Sequence, residues 1–267
     1  MNPSDLAQRA EAFRLLHAAP GIFEIPNPWD IGSALQFEKL GARALATSSG
    51  ASAVAQGLRD GRLGRNAALE HARVICAATS LPVSADLENG FGDAPDEVAE
   101  TIRLAGTTGL VGGSIEDFSG DASSGPYPHG IYPFELAVAR MQAAAKAARA
   151  LPFAFTLTAR CENHLRGVDD LADTIRRLQA YEAAGADVLF APALPDIKAV
   201  QAVCSALTKP VSFMVGMPGK SFSRAQLQAA GVKRISFGTV FYRVAMAASH
   251  AAMREALESG TYNFVAR

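Results

Sequence analysis

Cysteine is scarce in this sequence, and the cysteines that occur form no pattern. Cys76, Cys161 and Cys204 are widely separated and do not show the spacing of metal ligands. Disulfide scaffolds and zinc knuckles depend on closely spaced cysteines, so the sequence argues against both. A few unpaired cysteines fit a reducing compartment, and we expect a cytoplasmic protein.

An excess of one charge and long apolar runs are also lacking. The 25 Lys and Arg residues balance 26 Asp and Glu residues, for a formal net charge of −1, and no basic stripe stands out. Such a chain is not expected to track nucleic acid or a membrane surface. No run approaches the roughly 20 apolar residues of a membrane span, and the N-terminal stretch has no apolar signal core. We therefore expect a small-molecule partner.

The length and composition suit one large core. The chain has 267 residues, of which 49% are hydrophobic and 19% are charged, and no Pro/Gly-rich linker divides it. Single barrels of about 250 residues are common, so one barrel domain over residues 1–267 is the default.

Short apolar runs alternate with helical patterns along the chain. A helix from about Pro3 precedes the first run, and helices at about Trp29 to Leu40 and Pro95 to Ala105 follow the first and third. Eight strands alternating with amphipathic helices predict a closed (β/α)₈ TIM barrel of the α/β class, with an open doubly wound sheet as the alternative. The predicted strands are Ile22–Ile25, Ala44–Thr47, Val83–Asp86, Leu110–Ile115, Phe153–Ala159, Asp187–Phe190, Val211–Val215 and Arg234–Phe237.

The stretch VSADLENGFGD, residues 83–93, opens as a buried strand and ends in carboxylates and glycines. Barrels build their sites at the carboxyl ends of strands, which is where Asp86 and Glu88 fall. Side chains alternate along a strand, so both carboxylates are expected to point the same way. Because Mg²⁺ is usually held by one or two carboxylates plus waters, we predict a metal site. The alternative is that both residues cap the next helix or form rim salt bridges.

Other predicted strand exits carry groups that suit the same chemistry. Ser48, Ser49 and Gly50 follow the second strand, Glu116 follows the fourth, and Arg160 follows the fifth. A guanidinium can hold a carboxylate through two parallel hydrogen bonds. Carboxylates for a divalent ion, an arginine for an acid and backbone donors at a Ser-Gly turn together favour chemistry through an enolate. No Ser/His/Asp triad is legible.

Two of the polar candidates have a purely structural alternative. Arg160 could be a partner of the rim carboxylates rather than of a substrate. Asp60 lies among Arg59, Arg62 and Arg65, so it could belong to a solvated salt-bridge loop.

Two further side chains need the same distinction. Cys161 follows Arg160, and since adjacent strand residues face opposite ways, we expect this cysteine to pack into the barrel wall. His129, with Tyr127 and Tyr132 in the loop after the fourth strand, could supply a proton to an enolate from a closing lid, or could be an ordinary loop residue.

Four segments resemble the isocitrate lyase and phosphoenolpyruvate (PEP) mutase superfamily, and the resemblance covers nearly the whole chain. TSSGASAVAQGLRDG from Thr47 is similar to the family's substrate-cradling turn and following loop, and VSADLENGFG is similar to its metal strand. GGSIED is similar to its second acidic strand, and TARCENHL to its arginine strand. Each segment alone is short, but the four occur in the family's order.

The resemblance implies a metal ion and an oligomer. Asp86 would contact Mg²⁺, with Mn²⁺ as an alternative, and Glu88 and Glu116 would reach the ion through water. The family's (β/α)₈ barrels assemble as homodimers or homotetramers by exchange of C-terminal helices, and we expect the same here.

The resemblance also implies roles in substrate binding. Ser49, Gly50 and Ala51 would hold the carboxylate and oxo end of the substrate, and Arg160 would bind it as well. Asp60 matches a loop aspartate that lies over the reacting centre. With the histidine of the fourth loop included, the candidate catalytic residues are Asp60, Glu116, Arg160 and His129.

Two motifs of the family are missing from this chain, and their absence argues against two of the family's activities. Its isocitrate and methylisocitrate lyases have a cysteine in a Lys-Lys/Arg-Cys-Gly-His motif on the loop after the fourth strand, where this chain reads FSGDASSGPYPHG. Its phosphonate-forming members have a loop rich in Lys and Asn and a His after the sixth strand, where this chain lacks Lys and reads FAPAL. We predict a Mg²⁺-dependent carbon–carbon lyase or decarboxylase of small 2-oxo or 2-hydroxy di- or tricarboxylic acids, acting through a pyruvate-type enolate. The alternatives are a PEP mutase or phosphonopyruvate hydrolase, and a barrel that only binds acids.

Overall fold

A computed structural model describes residues 2–120, 123 and 125–266 of the chain. Eight parallel strands form one sheet in the order β1-β8-β7-β6-β5-β4-β3-β2, so the first strand pairs with the last. The strands are β1 Phe23–Ile25, β2 Leu45–Ala46, β3 Val83–Asp86, β4 Gly112–Glu116, β5 Thr156–Arg160, β6 Val188–Phe190, β7 Val211–Met214 and β8 Arg234–Ser236. The loop after β4, in which the sequence lacks the lyase cysteine, includes Asp121, Ala122 and Ser124, which lie outside the described residues.

Helices alternate with the strands, and none of those described is long and apolar enough to cross a membrane. They are α1 Pro3–Ala18, α2 Ile31–Lys39, α3 Ser49–Ala55, α4 Arg65–Ala78, α5 Pro95–Ala105, α6 Phe134–Arg149, α7 Leu171–Ala183, α8 Ile197–Ser205, α9 Arg224–Ala229 and α10 Val240–Arg254. Asp30, Asp170 and Asp196 precede α2, α7 and α8. Each accepts a hydrogen bond from the backbone N–H three residues on, at 2.6, 2.9 and 2.8 Å. These caps satisfy N–H groups that a helix start leaves unpaired.

A buried asparagine joins β1, β2 and β8 and completes the barrel. Ala46 N donates to Pro26 O at 3.1 Å, and Asn27 Nδ2 donates to the carbonyls of Ala46 and Thr47 at 3.0 and 3.2 Å. Oδ1 of Asn27 accepts from Phe237 N at 2.8 Å. The predicted (β/α)₈ barrel is confirmed, and the open doubly wound alternative is wrong.

The predicted bounds of β3 and of the helix Pro95 to Ala105 agree with the structure, and the bounds of the other predicted strands shift. The sequence pattern starts β5 at Phe153, whereas the hydrogen-bonded strand begins at Thr156. Phe155, which precedes the first hydrogen-bonded residue of β5, is already buried. The apolar run therefore reflects burial in the core and extends beyond the hydrogen-bonded part of the strand. The helix predicted from Trp29 begins at Ile31, because Asp30 takes the capping position.

Helix α1 covers the end of the barrel where the strands begin. Ala10 and Phe13 of α1 are fully buried and cluster with Phe23, Ile25 and Val111. This packing leaves the opposite end, where the strands finish, as the open face on which barrels carry their sites.

Candidate active site

The ends of β3, β4 and β5 surround a cavity of about 220 Å³. It is lined by Ser49, Asp60, Gly61, Glu88, Asn89, Glu116, Phe118, Gly120, Arg160 and Arg166. Asp86 lines an adjoining space of about 60 Å³ that shares Arg160. A larger cavity of about 740 Å³ lies beside α1 at the other end, but its carboxylate, Asp187, is already paired with Arg149 at 2.5 Å. The strand-exit cavity is therefore the candidate active site.

Asp86, the last residue of β3, is fastened to the start of α3. Its Oδ2 accepts hydrogen bonds from Ser49 Oγ at 2.7 Å and from Ser49 N at 3.2 Å. Its Oδ1 has only longer contacts, 3.4 Å to Glu88 N, 3.5 Å to Ser114 Oγ and 3.8 Å to Arg160 Nη1. One oxygen orients the carboxylate, and the other retains capacity to bind a cation.

Glu88 reaches the cavity by a different route from the expected one. β3 ends at Asp86, and Glu88 has a left-handed backbone with a φ of 51°, so strand alternation does not place its side chain. A non-glycine residue in this conformation costs about 1–3 kcal/mol and persists only where its surroundings enforce it. Here Glu116 N donates to Glu88 O at 2.9 Å. The two carboxylates do converge, but through this turn rather than through a shared strand face.

A buried arginine that the sequence argument missed holds the turn in place. Arg140 of α6 is fully buried, and its guanidinium donates to the carbonyls of Asn89, Gly92 and Asp93. The ring of Tyr132 lies against this guanidinium, with its centroid 4.1 Å from Cζ, and Tyr132 Oη donates to Asp93 at 2.5 Å. Arg140 is the one charged residue on the otherwise apolar buried face of α6. A charged residue in that position of the sequence pattern could have indicated a buried structural role.

Arg160 ends β5 in register with Glu116 of β4. Its Nη1 lies 3.3 Å from Glu116 Oε2, and its Nε donates to Glu162 Oε1 at 2.5 Å. Burial lowers the pKa of this guanidinium, but the carboxylates of Glu162, Glu116 and Asp86 together outweigh burial and raise it. Arg160 is thus a permanent cation that pairs with rim carboxylates and also lines the cavity. A structural role beside these carboxylates and contact with a substrate are therefore compatible.

Glu162 is a second residue that the sequence argument missed. Its carboxylate is fully buried and accepts from Arg160 and, at 2.8 Å, from Arg166 Nη2. Its backbone N–H donates to Asp117 Oδ1 at 2.8 Å, and Tyr181 Oη donates to Asp117 Oδ2 at 2.6 Å. This buried network fixes Arg160 from behind. The acidic residue two positions after the arginine in TARCEN was the signal for it.

Asp60 lies against the start of α3. A Cβ on Gly50 would stand 3.1 Å from Asp60 Oδ2, so a larger residue there would displace the Asp60 carboxylate by a few tenths of an ångström. Burial against the cavity and the nearby Asp86 carboxylate raise the pKa of Asp60. In the described part of the chain, no ion pair joins Asp60 to the arginines of its own loop.

Ser49, Gly50 and Ala51 form the first turn of α3 rather than an open turn. Ser48 caps this helix, its Oγ accepting from Ala51 N at 3.3 Å, while Ser49 N donates to Asp86. Two of the three backbone donors predicted for substrate therefore already have protein acceptors, and a substrate carboxylate would compete for them.

Crowded carboxylates give the site the chemistry of cation binding. Burial, helped by Asp86 and Asp60, raises the pKa of Glu88 to about 8, and burial raises the pKa of Glu116 well above its ordinary value. Among the described residues, no three His, Cys, Asp or Glu side chains are grouped closely enough to hold an ion by themselves. Mg²⁺ does not need such a cage, since it is commonly held by one or two carboxylates and several waters. The donor set therefore fits Mg²⁺.

Two of the singled-out residues lie outside the residues that line the cavity. His129 is exposed on the loop after β4, and its Nδ1 lies 3.2 Å from Arg166 O. Cys161 is fully buried in the apolar core, where burial raises the pKa of its thiol well above the ordinary value. The packing role expected for Cys161 agrees with this position.

Comparison with known proteins places this architecture in a family. The crystal structure of a Burkholderia cenocepacia protein described as a lyase/mutase has a TM-score of 0.93 and 51% identity, and the match covers 98% of this chain and 92% of that one. An oxaloacetate decarboxylase of Bradyrhizobium diazoefficiens is 34% identical over 53% of this chain and 48% of its own length. A 2-methylisocitrate lyase of Halalkalibacterium halodurans is 28% identical over 97% of this chain and 85% of its own.

The family model described as phosphoenolpyruvate phosphomutase matches residues 13–257. The chain therefore belongs to the phosphoenolpyruvate phosphomutase family. The predicted membership of the isocitrate lyase and PEP mutase superfamily is confirmed, and with it the prediction that the protein is an enzyme of that superfamily.

Proposed function

We propose that this protein is a Mg²⁺-dependent enzyme that cleaves a carbon–carbon bond of a small 2-oxo or 2-hydroxy di- or tricarboxylic acid. The joint placement of Asp86, Glu116 and Arg160 at the ends of three adjacent strands carries the proposal. This set combines ligands for a cation with a guanidinium for an acid. Both are needed where an enolate forms from a 2-oxo acid, because negative charge develops there as the bond breaks.

The relatives support the same class of reaction. Oxaloacetate decarboxylase and 2-methylisocitrate lyase are names of enzymes that break a carbon–carbon bond of a carboxylic acid. The loop after β4 lacks the cysteine of the methylisocitrate lyases, so we propose a related acid rather than methylisocitrate itself as the substrate.

The metal proposal follows from the donor set. Asp86 would hold Mg²⁺ directly, with Mn²⁺ as a substitute, and Glu88 and Glu116 would act through water. The ion would supply positive charge that stabilises the enolate oxygen of the substrate.

The chain's own residues would do the rest. Arg160 would bind the carboxylate next to the oxo group, with Ser49 and the start of α3 beside it. Asp60, whose pKa is raised, is suited to hold or move a proton above the reacting carbon. His129 would donate a proton only after its loop closes over the cavity, since it is exposed here.

A phosphorus-handling activity is the second candidate, and the description of the matching family model favours it. A mutase or phosphonopyruvate hydrolase would use the same cation and arginine to bind a 2-oxo acid that carries a phosphonate. Release of phosphate from phosphonopyruvate, with no release of CO₂ from oxaloacetate, would identify this alternative.

We further propose a cytoplasmic homodimer or homotetramer in which C-terminal helices are exchanged. Helix α10 has no buried residue in the single chain. Large apolar side chains of α10 and the segment after it are exposed, and these are Val244, Met246, Met253, Leu257 and Tyr262. A second copy would remove this surface from water, which a lone chain cannot do.

A substrate panel tests the proposed function. Purified protein with Mg²⁺ is incubated with 2-oxo and 2-hydroxy di- and tricarboxylates, and release of pyruvate, glyoxylate or CO₂ is followed. We expect turnover of at least one acid that disappears with EDTA and returns with Mg²⁺. Turnover that survives removal of the metal, or no turnover of any panel member, would contradict the proposal.

A further inference from the structure

The guanidinium of Arg166 also faces the candidate active site, and among the described residues it has fewer close carboxylate partners than the guanidinium of Arg160. Arg166 is the last residue of the short 3-10 helix Asn163–Arg166, and it lines the 220 Å³ cavity. Its Nε and Nη2 share one oxygen of Glu162, at 2.9 and 2.8 Å, and Nη2 lies 4.0 Å from Glu116 Oε1. Within the described residues, Nη1 of Arg166 has no hydrogen-bond acceptor.

Besides these bonds to Glu162, an aromatic ring holds Arg166 in place. Its Cζ lies 3.5 Å from the centroid of the Phe118 ring, so the ring stacks on one face of the guanidinium and takes none of the N–H groups at its edge. The carbonyl of Arg166 is 3.2 Å from His129 Nδ1, which connects this turn to the loop after β4.

Comparison with Arg160 shows which cation has spare capacity. The Arg160 side chain is 13% exposed and is approached by Asp86, Glu116 and Glu162, whereas the Arg166 side chain is 29% exposed and, among the described residues, has one carboxylate within 3 Å. Two of the three guanidinium nitrogens of Arg160 already face Glu116 and Glu162, which leaves little room there for both anionic groups of a diacid. A second anionic group left unpaired beside the carboxylates of this cavity would be strongly disfavoured.

We propose that Arg166 binds the second carboxylate of the substrate and thereby makes the enzyme select dicarboxylic over monocarboxylic acids. This inference rests on the proposed function and adds the residue that sets substrate class. Arg160 and the metal-binding end would recognise the 2-oxo or 2-hydroxy carboxylate common to all candidates. Arg166 would bind the carboxylate at the opposite end of the substrate.

Matched ligand pairs test the assignment. Binding of malate against 2-hydroxybutyrate, and of 2-oxoglutarate against 2-oxovalerate, is measured by calorimetry with Mg²⁺-saturated protein; members of a pair differ only in a terminal carboxylate. Oxalate, which reaches only the Arg160 end, is the reference ligand. The proteins are the parent, Arg166→Gln, Arg166→Lys and the control Arg62→Gln, whose arginine lies exposed on the Asp60 loop.

The parent should bind the diacid of at least one pair about tenfold to a hundredfold more tightly than its partner, the range of one charge-assisted hydrogen-bonded contact. Arg166→Gln should lose this preference and keep its affinity for oxalate, Arg166→Lys should retain part of the preference, and Arg62→Gln should retain all of it. Arg166→Lys keeps the charge beside Glu162, so it still tests the proposal if Arg166→Gln fails to fold.

Several outcomes overturn the inference, and they separate it from the proposed function. If the variants of Arg166 weaken oxalate and diacids equally, Arg166 only positions Glu162 and Arg160. If Arg62→Gln removes the preference instead, the second carboxylate binds on the Asp60 loop. If the parent shows no preference but binds oxalate, the diacid assignment fails while the proposed function stands. If the parent binds none of these ligands, oxalate included, both fail.

Discussion

Arg160 Nε donates to Glu162 Oε1 at 2.5 Å, so a fully buried carboxylate holds the guanidinium that lines the cavity. Glu162 is itself fixed through its backbone N–H, which donates to Asp117 at 2.8 Å. The position of Arg160 is therefore set by the protein before any substrate arrives. Preorganised charge of this kind stabilises a transition state without reorganisation as the reaction proceeds.

Arg160→Lys should raise KM and lower kcat/KM by an amount equivalent to roughly 2 to 4 kcal/mol. Lysine keeps the positive charge but loses the planar fork that can hold both Glu162 and a substrate carboxylate. Steady-state kinetics on the best acid of the panel measure the change. A variant with parental kcat/KM would show that Arg160 is only a partner of the rim carboxylates.

Asp86→Ala should abolish Mg²⁺-dependent turnover more completely than Glu88→Gln. Asp86 is the proposed direct ligand and also fastens Ser49, while Glu88 is proposed to act through water. Mg²⁺ affinity is measured by calorimetry, with Asp86→Asn as the variant that keeps the shape of the side chain. If Asp86→Ala binds Mg²⁺ with the affinity of the parent, Asp86 is not the direct ligand of the ion.

Cys161→Ser should keep most of the activity. The thiol is buried in the core, away from the cavity lining, and burial keeps it protonated by raising its pKa. Activity and the thermal midpoint are measured together, because a buried hydroxyl costs some stability. A loss of activity beyond about a hundredfold in a folded variant, the scale of removing a general acid or base, would make Cys161 a catalyst.

Stability should fall as the pH drops below 6.5, in part because of His17. This side chain is 8% exposed, lies 3.3 Å from Arg234 Nη1, and has its pKa lowered from 6.5 to about 3 by burial and by Arg234. Between these values the unfolded chain binds a proton that the folded chain does not. The contribution of His17 is therefore full above pH 6.5 and is lost progressively as the pH falls toward 3.

Urea unfolding of the parent and His17→Gln at pH 7.5 and pH 4.5 measures this contribution. The parent should lose about 2 to 3 kcal/mol more than the variant over this interval, since each unit below the unfolded pKa costs up to about 1.4 kcal/mol. Equal losses would mean that His17 takes up its proton in the folded state without a penalty.

The strand ends could be predicted because they follow from a repeating pattern. The VSAD run gave β3 its observed bounds, and parallel strands all finish at one end of a barrel, so Asp86, Glu116 and Arg160 had to approach one another. No contact between distant segments was needed for this inference.

The turn at Glu88 and the orientation of Arg166 could not be predicted in the same way. The left-handed conformation of Glu88 belongs to a turn held by Arg140, which comes from α6. The orientation of Arg166 depends on Phe118, contributed by the loop after β4. Both depend on packing between segments far apart in sequence, which neither propensity nor periodicity encodes.

The central claim is that the site stabilises a pyruvate-type enolate, and oxalate binding tests it most directly. Oxalate is planar and resembles that enolate, so a site built for the transition state should bind it more tightly than the substrate. Titration of the parent with oxalate, with Mg²⁺ and with EDTA, should show tight binding only when the metal is present, and Arg160→Lys should bind poorly. Absence of oxalate binding by the parent in Mg²⁺ would contradict the enolate mechanism itself.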